Sequence, residues 1–470
     1  MKINLETVSN NFSKFAESLG RITEPHLISY AFLIEDFDAL SSADALNKFS
    51  DDIFIFRTPD DKRSIVGLNS AIEFISDEIN NLPAVTNVYN KWKNNFINNW
   101  DKLNISSLPI ICSSLKFDQL KSSSQWNDFE AVRINVPEFL FQIQNGEAIG
   151  CYNFIIDDKT DPEQISKRFF SKLNLLSKLF TESIRNSDDR IVTLPQESSE
   201  EFERWKIVSE KALQVLYTGI VEKLVISRPY NFALNCSPEW NILLNQLNRR
   251  FPDCYLFFIK RKNSIFFGSS PEMFLKISGN VAEVESVAGS APRGEKSESD
   301  RLLEKVLSTS EKNHREHQYV SEFISDVLKN FSSSVRITEE KQIKKLDNIQ
   351  HLITRISAEL ENNNLFELID SLFPTPAVCG VPKSIAMSFI RKLEVHDRGL
   401  YSGLVGWIDF KNNCELAVSI RSALVKENIV TAFAGAGLVK NSDPDEEFQE
   451  TKLKLDPILS LFKPKVHGQE

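Results

Sequence analysis

The run FAGAGLVKNSDPDEEFQETKLK, from Phe433 to Lys454, joins a series of small residues to an acidic helix start. The segment before it, Ile429 to Phe433 (IVTAF), is typical of a buried strand. Ala434 to Gly437 is predicted to be a loop in which backbone can approach a ligand, because no large side chain intervenes. Asp443 is a good N-cap and Pro444 suits the first helical position. The run therefore predicts a strand, a loop and a helix in that order.

Three charged residues share one face of this predicted helix. Glu447, Glu450 and Lys454 are spaced i, i+3 and i+7, which brings their side chains close together in a helix. Acidic residues in a first turn also complement the helix dipole, so a solvated surface explains the two glutamates equally well. The pattern alone leaves both interpretations open.

Length and composition favour a soluble globular protein that acts on a small molecule. The chain has 470 residues, of which 41% are hydrophobic and 26% are charged, and it can bury a large core. Its net charge of -10 disfavours binding to nucleic acid or anionic membranes, because both need clustered Lys and Arg. Its six cysteines lie apart, so neither a zinc site nor a disulfide framework is expected. An apolar run of about 18 residues and a signal sequence are both missing, so we expect a cytoplasmic protein.

The first 200 residues predict scaffold and no catalytic cluster. Asp52 to Phe56 is typical of a strand, and Leu68 to Leu82 is predicted to be a helix. Asn145-Gly146 lies between the apolar runs Phe139–Ile143 and Ala148–Phe154. This arrangement is a strong signal for a β-hairpin.

Two ionisable residues of the second half lie among apolar strands. Lys223 belongs to the predicted strand Val221 to Ser227 (VEKLVIS). It lies either at a solvated edge or in a partly buried place, where a lowered pKa would let it act as a base. Glu272 lies in GSSPEMF, next to Pro271 and between two apolar strands. An exposed bulge would explain this glutamate, and so would a half-buried carboxyl with a raised pKa that serves as a general acid.

A long helix, predicted from Asp300 to Phe331, carries a third candidate. The apolar stripe of this helix, followed toward the N-terminus, passes through Glu316. An unpaired charge on that face would be costly, so Glu316 should have a cationic partner. The histidines that flank it lack the spacing of a zinc motif. Carboxylates from this helix and from Glu447 or Glu450 would instead suit Mg²⁺, which binds through few carboxylates, waters and an anionic substrate.

Two more stretches of the second half have distinctive local sequences. Ala288 to Gly294 (AGSAPRG) is predicted to be a tight loop of small residues after a strand. Glu415 to Ser422 (ELAVSIRS) is predicted to be a strand that carries Arg421. An arginine there suits either a bidentate grip on a substrate carboxylate or a structural ion pair.

The second half resembles the chorismate-utilising enzymes, which comprise isochorismate synthases, salicylate synthases and the synthase subunits for anthranilate and aminodeoxychorismate. The resemblance runs from Lys223 to Leu461 through GSSPEMF, VAGSAPRG, EKNHREHQYV, FPTPAVCGVPK, DRGLYSGLVGW, LAVSIRSA and AGAGLVKNSDPDEEFQETKLK. The first 200 residues resemble the family more loosely, in LPIICSSLKFD and SSSQWNDF.

This resemblance implies a fold. Residues 1–470 would form one α/β (α+β) domain, a large two-sheet β-sandwich flanked by helices, in place of the two or three domains that the length suggests. Residues 1–200 would be its divergent part and residues 201–465 its catalytic part.

By position, the resemblance also implies roles for single residues. Lys223 would be the general base that activates water, and Glu272 the general acid that protonates the leaving C4 hydroxyl. Glu316 and Glu450 would bind Mg²⁺, with Glu447 beside them. The groups that hold the substrate carboxylates and the metal site would be Tyr401, Arg421, Lys454 and the backbone of Gly435, Ala436 and Gly437.

The implied reaction is the isomerisation of chorismate to isochorismate, in which water adds at C2 while hydroxide leaves C4. Lys223 stands where anthranilate synthases tend to have glutamine, and Ala288 where many aminodeoxychorismate synthases have a nucleophilic lysine, so both favour water as the nucleophile. Ala377 stands where salicylate synthases commonly have threonine. Phe373 departs from the family, which often has histidine or glutamine there, so the polarity of the substrate site would differ.

Two alternatives remain open. The chain could be a salicylate synthase, which also eliminates pyruvate, or a catalytically weak homologue that only binds chorismate. In each case we expect a small-molecule partner, no nucleic acid, no membrane, and a monomer or loose homodimer.

Overall fold

A computed structural model of the chain describes residues 2–20, 22–59, 62–76, 82–181, 199–361 and 364–463. Within these ranges lie 11 α-helices and two large β-sheets, one of 12 strands and one of nine. The prediction of an α/β chain built on two large sheets with helices around them is confirmed. Among the helices of these ranges, none is both long and apolar enough to cross a bilayer.

The helices and strands follow one another along the whole chain. The helices are α1 (Leu5–Ser18), α2 (Ala43–Phe49), α3 (Leu82–Asn94), α4 (Pro162–Thr181), α5 (Ser199–Thr218), α6 (Trp240–Arg250), α7 (Ser297–Thr309), α8 (Glu311–Lys329), α9 (Leu365–Leu372), α10 (Lys383–Leu393) and α11 (Pro444–Leu459). The strands are β1 (His26–Ile34), β2 (Asp52–Arg57), β3 (Arg63–Leu68), β4 (Ile72–Ser76), β5 (Phe96–Asn98), β6 (Ile111–Leu115), β7 (Val132–Val136), β8 (Phe139–Gln144), β9 (Glu147–Ile156), β10 (Lys223–Ala233), β11 (Tyr255–Arg261), β12 (Ser264–Ser270), β13 (Met273–Ser278), β14 (Val281–Pro292), β15 (Val335–Lys345), β16 (Ile349–Glu359), β17 (Gly380–Val381), β18 (Leu404–Ile408), β19 (Cys414–Val418), β20 (Ser422–Lys426) and β21 (Ile429–Leu438).

Both sheets combine strands from the two halves of the chain. The larger sheet has the order β17-β10-β21-β20-β12-β11-β2-β3-β8-β9-β1-β5. The smaller sheet has the order β15-β16-β14-β13-β19-β18-β6-β7-β4. In the larger sheet β11 pairs with β2, and in the smaller sheet β18 pairs with β6, so backbone hydrogen bonds join the N-terminal strands directly to the C-terminal ones.

The main core lies between the two sheets, and a second core lies under the helices on the other face of the larger sheet. Successive side chains of a strand point to opposite faces. Phe54 and Phe56 of β2 accordingly belong to the first core, whereas Ile53 and Ile55 belong to the second. A strand buried on both faces reads as a continuous apolar run, which explains the sequence DIFIF.

Several local predictions are confirmed. Asp443 caps α11, and its side chain accepts hydrogen bonds from the backbone N–H groups of Asp445 and Glu446. The hairpin at Asn145-Gly146 joins β8 to β9, and both turn residues have positive φ as such a turn requires.

Two predicted helices are wrong. Leu68 to Leu82 contains the end of β3 and all of β4, whose alternating side chains pair with β7, and residues 77–81 lie outside the described ranges. The helix predicted from Asp300 to Phe331 is two helices, because Ser310 caps α8 by accepting a hydrogen bond from the Asn313 N–H at 3.3 Å. Serine and threonine compete in this way with the helical hydrogen bonds.

Three predictions about which residues lie in loops and which lie in strands are also corrected. Ala434 to Gly437 is not a loop but the second half of β21, paired with β10. The predicted loop after Val287 is mostly strand, since β14 continues to Pro292 through a bulge at Gly289, which has a φ of 77°. Arg421 lies not on a strand but between β19 and β20, with a φ of 52°.

Trp126 joins the first half of the chain to the second half. Its indole is completely buried and donates a hydrogen bond to the Asp397 carbonyl at 3.1 Å. The ring packs edge-on against Phe266, at 5.5 Å between centroids, and lies 5.8 Å from Phe433. A β-carbon at Gly399 would lie 2.0 Å from the same indole, so the backbone contacts it directly.

We expect Trp126→Ala to lower the free energy of unfolding by about 3–5 kcal/mol, because it leaves a large cavity and an unpaired carbonyl. Urea denaturation followed by circular dichroism measures the change. Leu120→Ala is the control, because Leu120 is 61% exposed and should change the value by less than about 0.5 kcal/mol. Equal midpoints for the two variants would contradict this account of the core.

Candidate active site

A narrow cavity of about 60 Å³ brings together most of the predicted site residues. Those that line it are Glu272, Glu316, Tyr401, Arg421, Gly435, Gly437 and Lys454. Lys223, Glu447 and Glu450 lie behind this lining, and each is tied to the residues of the wall or to one another by the contacts described below. Ala436 is different, because its side chain packs in the core between the sheets.

Lys223 is the first residue of β10 and is fully buried. It does not lie on an edge, because β10 is flanked by β21 on one side and β17 on the other. Its Nζ lies 3.1 Å from Oε1 of Glu316, so the prediction of a cationic partner for Glu316 is confirmed. This ion pair lacks the alignment of a hydrogen bond, and in the described part of the chain the Nζ atom has no hydrogen-bond partner. The ammonium therefore has donors available for a water or a ligand.

Glycine in β21 permits the contact between Lys223 and Glu316. A β-carbon at Gly437 would lie 2.3 Å from the Glu316 Oε1 atom and 2.9 Å from Cε of Lys223. A β-carbon at Gly435 would lie 3.1 Å from the Tyr401 hydroxyl. The small residues thus allow the close approach expected of them, although they do so from a strand rather than a loop.

Glu272 lies in the break between β12 and β13 and is only 4% exposed. Burial raises the pKa of its carboxyl to about 8, although the charge of Lys223 opposes the shift. Its N–H donates to the Ser270 Oγ atom at 3.2 Å, and its carbonyl accepts from the Val418 N–H at 3.1 Å. Of the two interpretations offered by the sequence, the geometry favours the buried carboxyl, which keeps its proton at neutral pH.

The two glutamates of α11 are each paired with a lysine. Lys312 of α8 contacts Glu447 at 2.5 Å, and Lys454 contacts Glu450 at 2.5 Å. Burial, and then the charge of Glu450, raises the pKa of Glu447 to about 7. Burial acts on Glu450 as well, but Lys454 and Lys312 hold the pKa of Glu450 below its usual value. Within the described ranges no three His, Cys, Asp or Glu side chains are already grouped around one point as metal ligands.

Arg421 presents an unused guanidinium group to the cavity. It is 4% exposed, and burial lowers its pKa to about 10, so it is charged at neutral pH. Its Nη2 donates to the His351 Nε2 atom at 3.1 Å, while Nη1 has no hydrogen-bond partner among the residues that the structure describes. No carboxylate there forms an ion pair with it, which favours a ligand contact over a structural ion pair.

His351 and Ser290 belong to the site and were not predicted from the sequence. They face each other on β16 and β14, with His351 Nδ1 3.1 Å from Ser290 Oγ. Ser290 in turn donates to the Glu450 Oε1 atom at 3.2 Å. Burial, followed by the charge of Arg421, lowers the pKa of His351 well below its usual value, so the ring is neutral. Because Nε2 accepts from Arg421, the proton lies on Nδ1, and the chain Arg421–His351–Ser290–Glu450 is continuous. A lone histidine in the apolar stretch IQHLITRI was the only signal.

The remaining walls of the cavity are mainly apolar. Tyr401 is buried and stacks on Phe433 with 5.2 Å between ring centroids. Ala377 contributes to the lining. Phe373, in contrast, does not line the cavity but packs edge-on against Phe274 at 6.0 Å. The expectation that Phe373 changes the polarity of a substrate wall is therefore not supported.

A larger cavity, of about 1140 Å³, lies on the other side of β13. Its lining includes Glu285, Lys344 and Arg355, but it includes none of the residues predicted from the sequence. We assign the active site to the smaller cavity, because a protonated carboxyl and a guanidinium with an unpaired Nη1 line it, and a buried lysine pairs with its wall residue Glu316.

Comparison with known proteins gives matches over nearly the whole chain. The family model described as "Chorismate binding enzyme" matches residues 14–463. Isochorismate synthase MenF of Bacillus subtilis (strain 168) is 29% identical over 445 residues, which cover 93% of each chain. Isochorismate synthase EntC of Escherichia coli (strain K12) is 34% identical over 254 residues, 54% of this chain and 65% of the relative. The solved structure of MenF, the menaquinone-specific isochorismate synthase from Escherichia coli, has a TM-score of 0.78 at 22% identity, over 98% of this chain and 100% of that one.

The buried carboxyl of Glu272 predicts a dependence of stability on pH. The folded chain keeps this proton up to about pH 8, whereas the unfolded chain releases it near its ordinary value of 4.5. The unfolded state thus binds fewer protons between these values, so the free energy of unfolding contributed by Glu272 falls as pH rises. Glu272→Gln cannot ionise, and we expect it to exceed the parent in stability at about pH 8 by up to roughly 4 kcal/mol, with no difference near the ordinary carboxyl pKa.

Urea denaturation across this pH range measures the difference. Glu295→Gln, at an exposed position, is the control and should follow the parent at every pH. A stability difference for Glu272→Gln that does not change with pH would show that Glu272 is ionised when folded.

Proposed function

We propose, from the premise that this chain belongs to the chorismate-binding enzyme family, that it is an isochorismate synthase. The observation that carries the proposal is that a protonated acid, Glu272, and the guanidinium of Arg421 line one buried cavity, and that Lys223 is paired with Glu316 of the same wall. Relatives that are similar over nearly the full length or over the second half bear that name. The reaction class is an isomerisation, since the water that adds to chorismate balances the hydroxide and proton that leave.

Lys223 and Glu272 divide the two proton transfers between them. As the general base, the Nζ atom of Lys223 takes a proton from the water that attacks C2. The carboxyl of Glu272 gives its proton to the hydroxyl that leaves C4, and its raised pKa of about 8 ensures that this proton is present at neutral pH. Glu316 contacts Lys223 Nζ at 3.1 Å in the free protein, so this nitrogen is released toward the water when Glu316 turns to another cation.

Arg421 and Lys454 supply the positive charge for a dianionic substrate. The unused Nη1 of Arg421 and the ammonium of Lys454 both belong to groups that line the cavity. A planar guanidinium suits a carboxylate because it donates two parallel hydrogen bonds. At about 60 Å³ the cavity is smaller than typical ligand pockets of roughly 300–1,000 Å³, so side chains must move on binding. The Lys454–Glu450 ion pair is partly exposed, and separating these two side chains would widen the cavity.

We further propose that Glu316 and Glu450 hold Mg²⁺, with Glu447 beside them. Carboxylate oxygens from two helices are the donors that this ion prefers. The pKa of Glu447 is raised by burial and then by the charges of Glu450 and Glu316, which is repulsion that a divalent cation would relieve. Because each carboxylate is now paired with a lysine, Lys312 and Lys454 would have to turn aside. The bound cation would neutralise a substrate carboxylate.

Salicylate synthase, which removes pyruvate as well, is the second candidate. Ala377 lines the cavity where those relatives commonly have threonine, so no hydroxyl is available at this point of the wall. This observation supports an enzyme that stops at isochorismate. A protein that only binds chorismate would not need a protonated carboxyl next to a buried lysine, each of which is costly to maintain.

We expect the purified protein to convert chorismate with Mg²⁺ into isochorismate, identified by liquid chromatography. Lys223→Ala and Glu272→Gln should each lower kcat by about 10²–10⁴-fold, because each removes one of the two proton-transfer groups. Lys440→Ala, at an exposed position, should leave the rate unchanged. Salicylate and pyruvate in the product would favour the second candidate, and unchanged chorismate would refute both enzymatic proposals.

We expect Mg²⁺ to raise the thermal midpoint of the parent protein, by binding to the folded state alone. At 100 times its dissociation constant, the ion adds about 2.7 kcal/mol to the stability. Glu450→Gln should abolish this effect. Glu446→Gln, which changes an exposed glutamate of the same helix, should retain it. If Mg²⁺ stabilises Glu450→Gln as much as the parent, the ion binds elsewhere.

A further inference from the structure

The backbone on either side of Glu272 is not held by a regular strand ladder. On one side, β13 pairs with β14 only from Lys276 to Ser278. On the other side, its register with β19 shifts between Met273 and Leu275. The preceding residue, Pro271, has no N–H to donate. The peptide groups next to the general acid therefore need partners from outside the ladder.

Side chains from β14 and β15 supply these partners. Lys344 donates from Nζ to the Pro271 carbonyl at 2.5 Å. The N–H of Met273 donates to the Glu285 Oε2 atom at 3.4 Å. The same Oε2 lies 3.3 Å from Lys344 Nζ, so one ion pair contacts the backbone both before and after Glu272. We call Glu285 and Lys344 the clamp.

Burial and a hydrogen bond from a third residue hold the clamp in place. Glu285 is 6% exposed, and its second oxygen accepts a hydrogen bond from Arg355 Nε at 3.1 Å. Lys344 is largely buried as well, at the wall of the larger cavity. Removing either charge would leave its partner less well compensated and would free a backbone group of Pro271 or Met273. The ion pair thus fixes the backbone on both sides of Glu272.

We propose that Glu285 and Lys344 are positioning residues, which hold the Glu272 carboxyl where it can protonate the C4 hydroxyl of the substrate. This inference rests on the proposed function. Neither residue lines the cavity of the active site, so they act through the backbone of residues 271–273 and not by contact with substrate. Their loss should change the rate of the chemical step and leave substrate binding nearly intact.

The two members of the clamp also act on Glu272 through their charges, in opposite directions. The charge of Glu285 raises the pKa of Glu272, and that of Lys344 lowers it, both after the dominant effect of burial. The charged groups that face Glu272 or line the same cavity are Lys223 of β10, Glu285 of β14, Glu316 of α8, Lys344 of β15, Lys454 of α11 and Arg421 before β20. Because Glu285 is an anion and Lys344 a cation, replacing one and replacing the other should move the titration of Glu272 in opposite senses.

The test compares Glu285→Gln, Lys344→Met and Lys344→Arg with the parent enzyme, using chorismate and Mg²⁺. We expect Glu285→Gln and Lys344→Met to lower kcat by about 10- to 100-fold, with KM unchanged, because a small displacement of the acid is costly. Lys344→Arg keeps the charge and the donors and should recover most of the rate. Lys345→Met is the matched control on the same strand, because Lys345 pairs with Asp300 and Glu304, away from residues 271–273.

The pH profile of kcat/KM distinguishes positioning from mere support of the fold. Activity is lost at high pH as Glu272 ionises, and this limb should move to higher pH in Lys344→Met and to lower pH in Glu285→Gln. A limb that moves the same way in both variants, or a raised KM with unchanged kcat, would overturn the proposal. Should Lys344→Met fail to fold by circular dichroism, the isosteric Glu285→Gln carries the test alone.

A second measurement needs no catalysis. The stability difference made by Glu272→Gln, measured against pH in the parent and in each clamp variant, reports the same titration of Glu272. Opposite displacements in the two variants support the clamp even if chorismate is not converted, in which case the proposed function alone fails. Absence of any displacement overturns the clamp even in an active enzyme.

Discussion

The buried ion pair between Lys223 and Glu316 is the constraint on which the rest of the site depends. Neither charge could be buried alone, and removing one partner of such a pair typically costs about 3–5 kcal/mol. The pair forms across β21, and only a glycine at position 437 leaves room for it. It also requires that α8 present Glu316 to the sheet, which follows from the separate start of that helix at Ser310. Strand β21, the glycine at position 437 and the separate start of α8 are thus all needed for this ion pair.

Each of the three ionised carboxylates of the site has a lysine of its own, whereas Arg421 has no carboxylate partner among the described residues. Glu316 has Lys223, Glu447 has Lys312 and Glu450 has Lys454. This pairing stabilises the free protein, but it also narrows the cavity, because lysines occupy the carboxylates that would otherwise face a cation. Binding of a cation by these carboxylates would require them to exchange their lysine partners for the ion. The ion pairs that stabilise the free protein therefore weaken the binding of a cation and a substrate in this cavity.

Local sequence signals predicted the elements that depend on local chemistry, such as the cap at Asp443 and the turn at Asn145-Gly146. They failed where tertiary pairing decides. Gly and Ala favour a loop by propensity, yet pairing with β10 makes Ala434 to Gly437 a strand. The helical spacing of apolar residues continues past Ser310, so this spacing cannot show that one helix ends and another begins there.

The candidate site could be predicted only in part for the same reason. Family resemblance pointed to Lys223, Glu272 and Arg421, but the strand pattern could not say whether the lysine is at an edge, because that depends on which strands flank it. His351, Ser290 and Lys312 reach the site through contacts across β14, β16 and α8. Nothing in their local sequence marks such contacts, so these residues were missed.

The place of Glu272 at the end of a strand has a physical reason. Within a complete ladder its backbone would be fixed by both neighbours, and its side chain would stand perpendicular to the sheet. Pro271 and the register shift interrupt the ladder, so the carboxyl can point into the cavity between the strands. The interruption leaves backbone groups unpaired, and side chains of Ser270, Glu285 and Lys344 pair with them instead. The strand ladder is thus interrupted at the residue that the chemistry needs, and residues distant in sequence supply the missing hydrogen-bond partners.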